Sequence, residues 1–119
     1  MSMKLFDSEL HIMEILWREG ETTAKRIAEM TKEKIGWSKT TTYTIIKRCL
    51  DKGAIERQEP NFVCRALVTR EQAQEHETTE LINKMYNGAP DRLMASLLGR
   101  KQLTTEEINR LKQLIESLE

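Results

Sequence analysis

The residues from Trp37 to Gly53, WSKTTTYTIIKRCLDKG, gather side chains suited to an oxygen-rich, anionic surface: hydroxyls at Ser38, Thr40, Thr41 and Thr44, the Tyr43 phenol, and cations at Lys39, Lys47 and Arg48. Lysines and hydroxyls bond phosphate oxygens, an arginine fork fits the edge of guanine, and a threonine methyl can touch that of thymine. Four of the five residues from 40 to 44 are threonine, a poor choice for a segment that needs only to be helical, because β-branched side chains lose freedom there. The competing reading is a solvated amphipathic helix whose threonines are exposed for no purpose.

For these groups to act together they must share one helix face. Ser38 is a fitting N-cap and Gly53 supplies the left-handed residue that ends a helix. Between them Thr41, Ile45 and Cys49, with Thr42, Ile46 and Leu50 beside them, form the expected inward stripe. Lys39, Thr40, Tyr43, Thr44, Lys47 and Arg48 fall mostly outside it. Residues 38 to 52 hold Lys39, Lys47, Arg48 and Lys52 against Asp51.

Two helices precede this one. The first is expected from an Asp7 cap through Leu10, Met13, Leu16 and Trp17 to Gly20, and the second from Thr22 or Thr23 through Ala24, Ile27, Ala28 and Met30 to Gly36. After Gly53 the pattern shortens to two β-like runs, 54 to 58 and 62 to 67, separated by Glu59, Pro60 and Asn61. Three helices followed by a β-hairpin is the order of a winged helix-turn-helix, with the hairpin as wing. Arg57 and Arg65 are the wing's candidate cations.

Thr69 with Gln72 opens a fourth helix, polar at first and apolar near Leu81, Ile82, Met85 and Tyr86. Pro90 starts a short helix bearing Leu93, Met94, Leu97 and Leu98. Thr104 with Glu107 opens a last one whose stripe is Ile108, Leu111, Leu114, Ile115 and Leu118. So small a unit buries this many aliphatic groups poorly by itself, and a symmetric dimer solves the problem. The expected dimer contacts are Leu81, Met85, Tyr86, Leu93, Leu97, Leu98, Ile108, Leu111, Ile115 and Leu118. The fold class is therefore mainly α with a small β-hairpin: a winged helix-turn-helix domain over 1–70 and a helical dimerisation domain over 71–119.

The 119 residues carry net charge zero, but the balance is uneven. Up to Arg70 there are 13 basic and 10 acidic residues; beyond it there are 6 and 9. Only the first part offers a patch suited to phosphate. No apolar run approaches the roughly 20 residues that cross a bilayer, which points to a cytoplasmic protein without direct membrane binding. Cys49 and Cys64 lack metal spacing, and His11 and His76 stand apart, so no metal, cofactor or catalytic constellation is expected.

The assembled residues resemble the penicillinase repressor family of β-lactam-responsive regulators. Asp7 and Glu9, with Met13 and Trp17, are similar to its opening pattern. Trp37, Ser38, Thr41, Thr44, Arg48, Lys52 and Gly53 are similar to its recognition-helix signature, and Leu67 to Glu71 to its strand-to-helix junction. The resemblance implies a homodimeric transcriptional repressor of antibiotic-resistance genes, seated on a pseudo-palindromic double-stranded operator and induced through a sensor-linked protease. The scissile Asn-Phe pair of some members corresponds here to Ser96 and Leu97. The cysteine cluster of the copper-responsive branch is absent, since Cys64 is the last cysteine. In the wing, where relatives often carry Gly with a basic residue, this chain has Glu59, Pro60 and Asn61. The rival function is a winged-helix protein-interaction module that reads no DNA.

Overall fold

A computed structural model describes residues 4–118. Helix α1 (Asp7–Glu19) begins where the Glu9 carboxylate accepts the Phe6 N–H at 2.8 Å, and it ends at Gly20, whose φ is 82°. Phe6 rather than Asp7 is the N-cap residue. Glu9 satisfies the free backbone donor there, and Asp7 becomes an acidic first-turn residue that still suits the helix dipole. A two-residue strand β1 (Thr22–Thr23) follows. Thr23 then caps α2 (Ala24–Ile35) by accepting the Arg26 N–H at 3.1 Å, and Gly36 closes that helix in the left-handed region.

Helix α3 (Lys39–Lys52) has the expected ends: Ser38 Oγ accepts the Thr41 N–H at 3.1 Å, and Gly53 lies at φ 77°. Strands β2 (Ile55–Gln58) and β3 (Val63–Ala66) form the hairpin, with Ile55 opposite Ala66 and Gln58 opposite Val63. The hairpin does not stand alone, because β1 pairs antiparallel with β3 and gives a sheet of order β1-β3-β2. Thr22 and Thr23 were expected only as a helix start; the strand they form is too short to show alternation in sequence.

The core is built by Ile12, Met13, Ile15 and Leu16 of α1, Ala24, Ile27 and Met30 of α2, Ile45, Ile46 and Cys49 of α3, and Ala54, Ile55 and Cys64 of the sheet region. Each large aliphatic side chain so buried is worth about 1.5–3 kcal/mol. The contact of α2 with α3 also contains a polar clasp, the hydroxyls of Thr31 and Thr42 at 2.6 Å, both buried. Thr41 by contrast is exposed. The inward stripe thus runs over Thr42, Ile45, Ile46 and Cys49, one position round from the expected start, because Thr42 finds a buried hydroxyl partner. Trp17 donates its indole N–H to Val68 O at 2.8 Å, and Trp37 meets His11 edge to face at 5.5 Å; both indoles are partly buried against the core.

Helix α4 (Arg70–Met85) is capped by Thr69 and Gln72, which exchange side chain and backbone bonds at 2.9 and 3.0 Å. Along this helix the chain divides into two compact units, the first ending at Glu77 and the second starting at Thr78. The second unit holds the rest of α4, α5 (Pro90–Gly99) and α6 (Thr105–Glu116). Thr104 and Glu107 form the capping box of α6, and the Thr104 backbone and hydroxyl hold the Glu107 carboxyl below the usual range. Among the described residues, none in α4, α5 or α6 is buried.

Candidate nucleic-acid interface

The outer face of α3 presents its groups as one surface. Lys39, Thr40, Tyr43, Thr44 and Lys47 line a single open concavity, and Ser38, Thr41 and Arg48 are exposed beside it. The hydroxyls are held locally: Ser38 Oγ donates to Thr41 Oγ1 at 3.0 Å and Thr44 Oγ1 to Thr40 O at 3.0 Å. Such bonds fix rotamers while leaving lone pairs free for an incoming donor. Lys39 Nζ stands 5.7 Å from the centre of the Tyr43 ring. Lys47 lies 3.5 Å from Asp51, an exposed one-turn pair worth little. No ion pair holds Arg48 among the described residues, so its fork is available.

Lys52 departs from the basic patch expected of it. Its ammonium donates to the Glu9 carboxylate at 2.5 Å and to Lys4 O at 2.7 Å, and it lies 4.2 Å from the Phe6 ring centre. Glu9 is 1% exposed. Two stretches distant in sequence, the start of α1 and the end of α3, are thus joined by a nearly dry ion pair, which fixes one end of α3 against the core. Nothing in the spacing of either stretch announces that contact.

The wing arginines are occupied. Arg65 Nε donates to Glu56 at 2.7 Å across the hairpin, where the two residues are register partners. Arg57 pairs with Glu59, and its guanidinium stacks 3.7 Å from the centre of the Phe62 ring. Phe62 in turn meets Tyr43 edge to face, with centroids 5.9 Å apart. This aromatic link from wing to α3 has no signature in the sequence, where Phe62 reads only as the first residue of a strand.

In the second unit the residues expected to pair two copies fall in two groups. Leu81, Met85, Leu98, Ile115 and Leu118 are exposed, Leu118 to 82%. Tyr86, Leu93, Leu97, Ile108 and Leu111 are half-buried. Leu114 joins the first group at 62%. Ser96 and Leu97 lie inside α5, where Ser96 Oγ accepts from the Tyr86 hydroxyl at 3.4 Å.

Burial pushes the Cys49 thiol up to about 12, with Glu9 adding to the shift and Lys52 opposing it. It pushes Cys64 up to about 11 against the opposing charge of Arg57. Neither is a thiolate at neutral pH. Among the described residues no group of three His, Cys, Asp or Glu could hold a metal ion, and no helix is long and apolar enough to cross a membrane.

Comparison with known proteins agrees in coverage with this layout. A family model described as Penicillinase repressor matches residues 5–117. The penicillinase repressor of Bacillus licheniformis is 26% identical over 115 residues, 95% of this chain and 90% of that protein. The methicillin resistance regulatory protein MecI of Staphylococcus aureus is 27% identical over 114 residues, 94% of this chain and 93% of its own length. A solved MarR family regulator from Neisseria meningitidis aligns over 96% of this chain and 73% of its own, with 21% identity and a TM-score of 0.44.

Proposed function

The chain belongs to the penicillinase repressor family, a family of transcriptional repressors and not of enzymes, and from that premise we propose that it acts as a cytoplasmic homodimer on a pseudo-palindromic operator. The observation that carries the reading is the outer face of α3, where Lys39, Thr40, Tyr43, Thr44 and Lys47 share one concave surface with Arg48 exposed beside it. In this reading α3 enters the major groove. Arg48, Tyr43 and the threonines Thr40, Thr41 and Thr44 meet base edges, with Lys39 at the same face, while Ser38 and Lys47 meet phosphates. With their charges already balanced by Glu59 and Glu56, Arg57 and Arg65 add little to phosphate attraction.

Dimerisation is the role of the second unit. The exposure of Leu81, Met85, Leu98, Ile115 and Leu118 supports it, since large aliphatic side chains left in water on three helices call for a partner and a two-fold copy supplies the same groups in return. Two recognition helices would then meet half-sites one turn, roughly 34 Å, apart. By likeness to the named relatives, a penicillinase repressor and a methicillin resistance regulator, the regulated genes are those of β-lactam resistance. The family resemblance alone adds a sensor-linked protease as inducing partner, and at the matching position this chain has Ser96 and Leu97 in place of the scissile Asn-Phe pair. Proteases take extended chains, so α5 must open before that bond is cut.

The deciding experiment is a gel shift of the full chain against genomic fragments at moderate salt, followed by footprinting of the retained fragment. A two-fold symmetric footprint of two half-sites is expected. Absence of sequence-selective retardation would reject the repressor reading in favour of a protein-interaction role. Within the footprint, Arg48→Ala is expected to cost about 1–3 kcal/mol and to relax preference at one base pair, and Lys47→Ala to weaken all sequences alike. Equal losses everywhere for both variants would remove Arg48 from the base-reading set.

A further inference from the structure

We propose that Phe62, at the tip of the wing, is a specificity-determining positioning residue that sets the Tyr43 ring, and through it Lys39, on the reading face of α3. The proposal rests on α3 being the DNA-reading helix and adds a role for the wing that needs no contact with DNA. The geometry is a continuous ladder. The Arg57 guanidinium covers Phe62 at 3.7 Å, Phe62 meets Tyr43 at 5.9 Å with ring planes 79° apart, and Lys39 lies 5.7 Å from the Tyr43 centre. Each step is a favoured cation–aromatic or edge-to-face arrangement, so the ladder further restricts a ring that the core holds on one side only.

The backbone supports the same conclusion. Asn61 and Phe62 both sit in the left-handed region, at φ 75° and 52°, where glycine would be unstrained. A bulky phenylalanine there is an outlier that the surrounding structure has to hold in place. Its carbonyl accepts the Ala24 N–H at 2.9 Å, tying the wing tip to the start of α2. Its N–H donates to Glu59 Oε1 at 3.4 Å, and Glu59 also binds Arg57. The wing is thereby braced from both sides with the ring turned toward α3. Tyr43, partly buried against the core, is also one of the residues lining the reading concavity.

The test uses the full chain, the footprinted operator fragment and its single-base-pair variants, with affinities read by fluorescence anisotropy at one salt concentration. Phe62→Leu, which keeps apolar bulk and removes the ring, is expected to reduce discrimination about fivefold at the base pairs where Tyr43→Ala also reduces it. In the Tyr43→Ala background it should cost nothing further there. Phe62→Tyr, which keeps the ring, should restore discrimination, and the salt dependence of binding should be unchanged throughout. Multiplying losses in the double variant would overturn the proposal. So would a uniform loss on every fragment with a shallower salt slope, which would make the wing a phosphate contact. If the unaltered chain showed no base preference, the reading of α3 itself would fall and this role with it; selective binding indifferent to Phe62 would overturn only the latter. Tryptophan fluorescence melts of Phe62→Leu and Phe62→Tyr check folding, and the position-by-position comparison between them separates ring placement from a general loss of stability.

Discussion

Replacing Lys52 by methionine should destabilise the first unit by about 2–3 kcal/mol, because it leaves the Glu9 carboxylate buried with a single strong partner. The magnitude follows from the setting of the pair. Glu9 is 1% exposed and among the described residues accepts the Phe6 N–H and the Lys52 ammonium, whereas the Lys52 side chain is 27% exposed, so the loss falls below that of a fully dry pair. Methionine preserves most of the aliphatic stem that covers Phe6. Trp17 and Trp37 are the chain's two tryptophans and both lie in the first unit, so fluorescence during urea unfolding at fixed protein concentration reports on that unit. With a denaturant slope of about 1–1.5 kcal/mol/M for a unit of this size, the midpoint should fall by about 2 M. Adding Glu9→Gln to Lys52→Met removes the stranded charge while keeping an acceptor for Phe6, and roughly half of the loss should return. A midpoint shift below about 0.5 M, or a double variant less stable than the single, would refute the assignment of this pair as the anchor of α3.

Freeing a wing arginine by Glu56→Gln should steepen the log–log salt dependence of DNA binding by about 2 for a two-fold dimer, as each released guanidinium displaces one counterion; an unchanged slope in a salt titration would exclude Arg65 from reach of phosphate. Ile115→Glu together with Met85→Glu should convert a two-fold species to a monomer in sedimentation at micromolar concentration, while a monomeric unaltered chain would reject the dimer outright. The thiols supply a pH dependence. Their values are raised from 9.0 to about 12 and about 11, so the unfolded chain ionises first and the native state is favoured fully below pH 9. Stability should therefore fall above pH 9 and up to about 11 by about 1.4 kcal/mol per pH unit for each cysteine. A Cys49→Ala, Cys64→Ala chain should lack that contribution, and identical pH slopes for the two chains in urea melts would contradict it.

The ends and the inward side of α3 were legible because their signals are local. Ser38 and Gly53 act on their own helix ends, and isoleucines at 45 and 46 mark the inward side whatever lies opposite. The error at Thr41 has a different origin: it looks like its neighbour Thr42 until Thr31, on another helix, offers Thr42 alone a buried hydroxyl. Lys52 reads as one more cation on a basic helix, and only the burial of Glu9 makes it a tether. The wing's charge was misleading for the same reason. Arg57 and Arg65 are countable in the sequence, but the hairpin register that sets Glu56 opposite Arg65 is not, nor is the turn that brings Glu59 back to Arg57. Beyond the sheet the caps at Thr69 and Thr104 and the stripe through Ile108 and Leu111 were readable from period and chemistry, whereas the extent to which the last stripe lies open had to come from the fold.

That openness has a consequence for control by copy number. If the second unit pairs as proposed, its exposed side chains gain an interior by association, and its order and its pairing rise and fall together with concentration. Halving the supply of protomers would then do more than halve the occupied operators. It would thin the population of paired second units as the square of the free chain, and each unpaired copy would return Leu118, Ile115 and Met85 to water and to the cell's proteases.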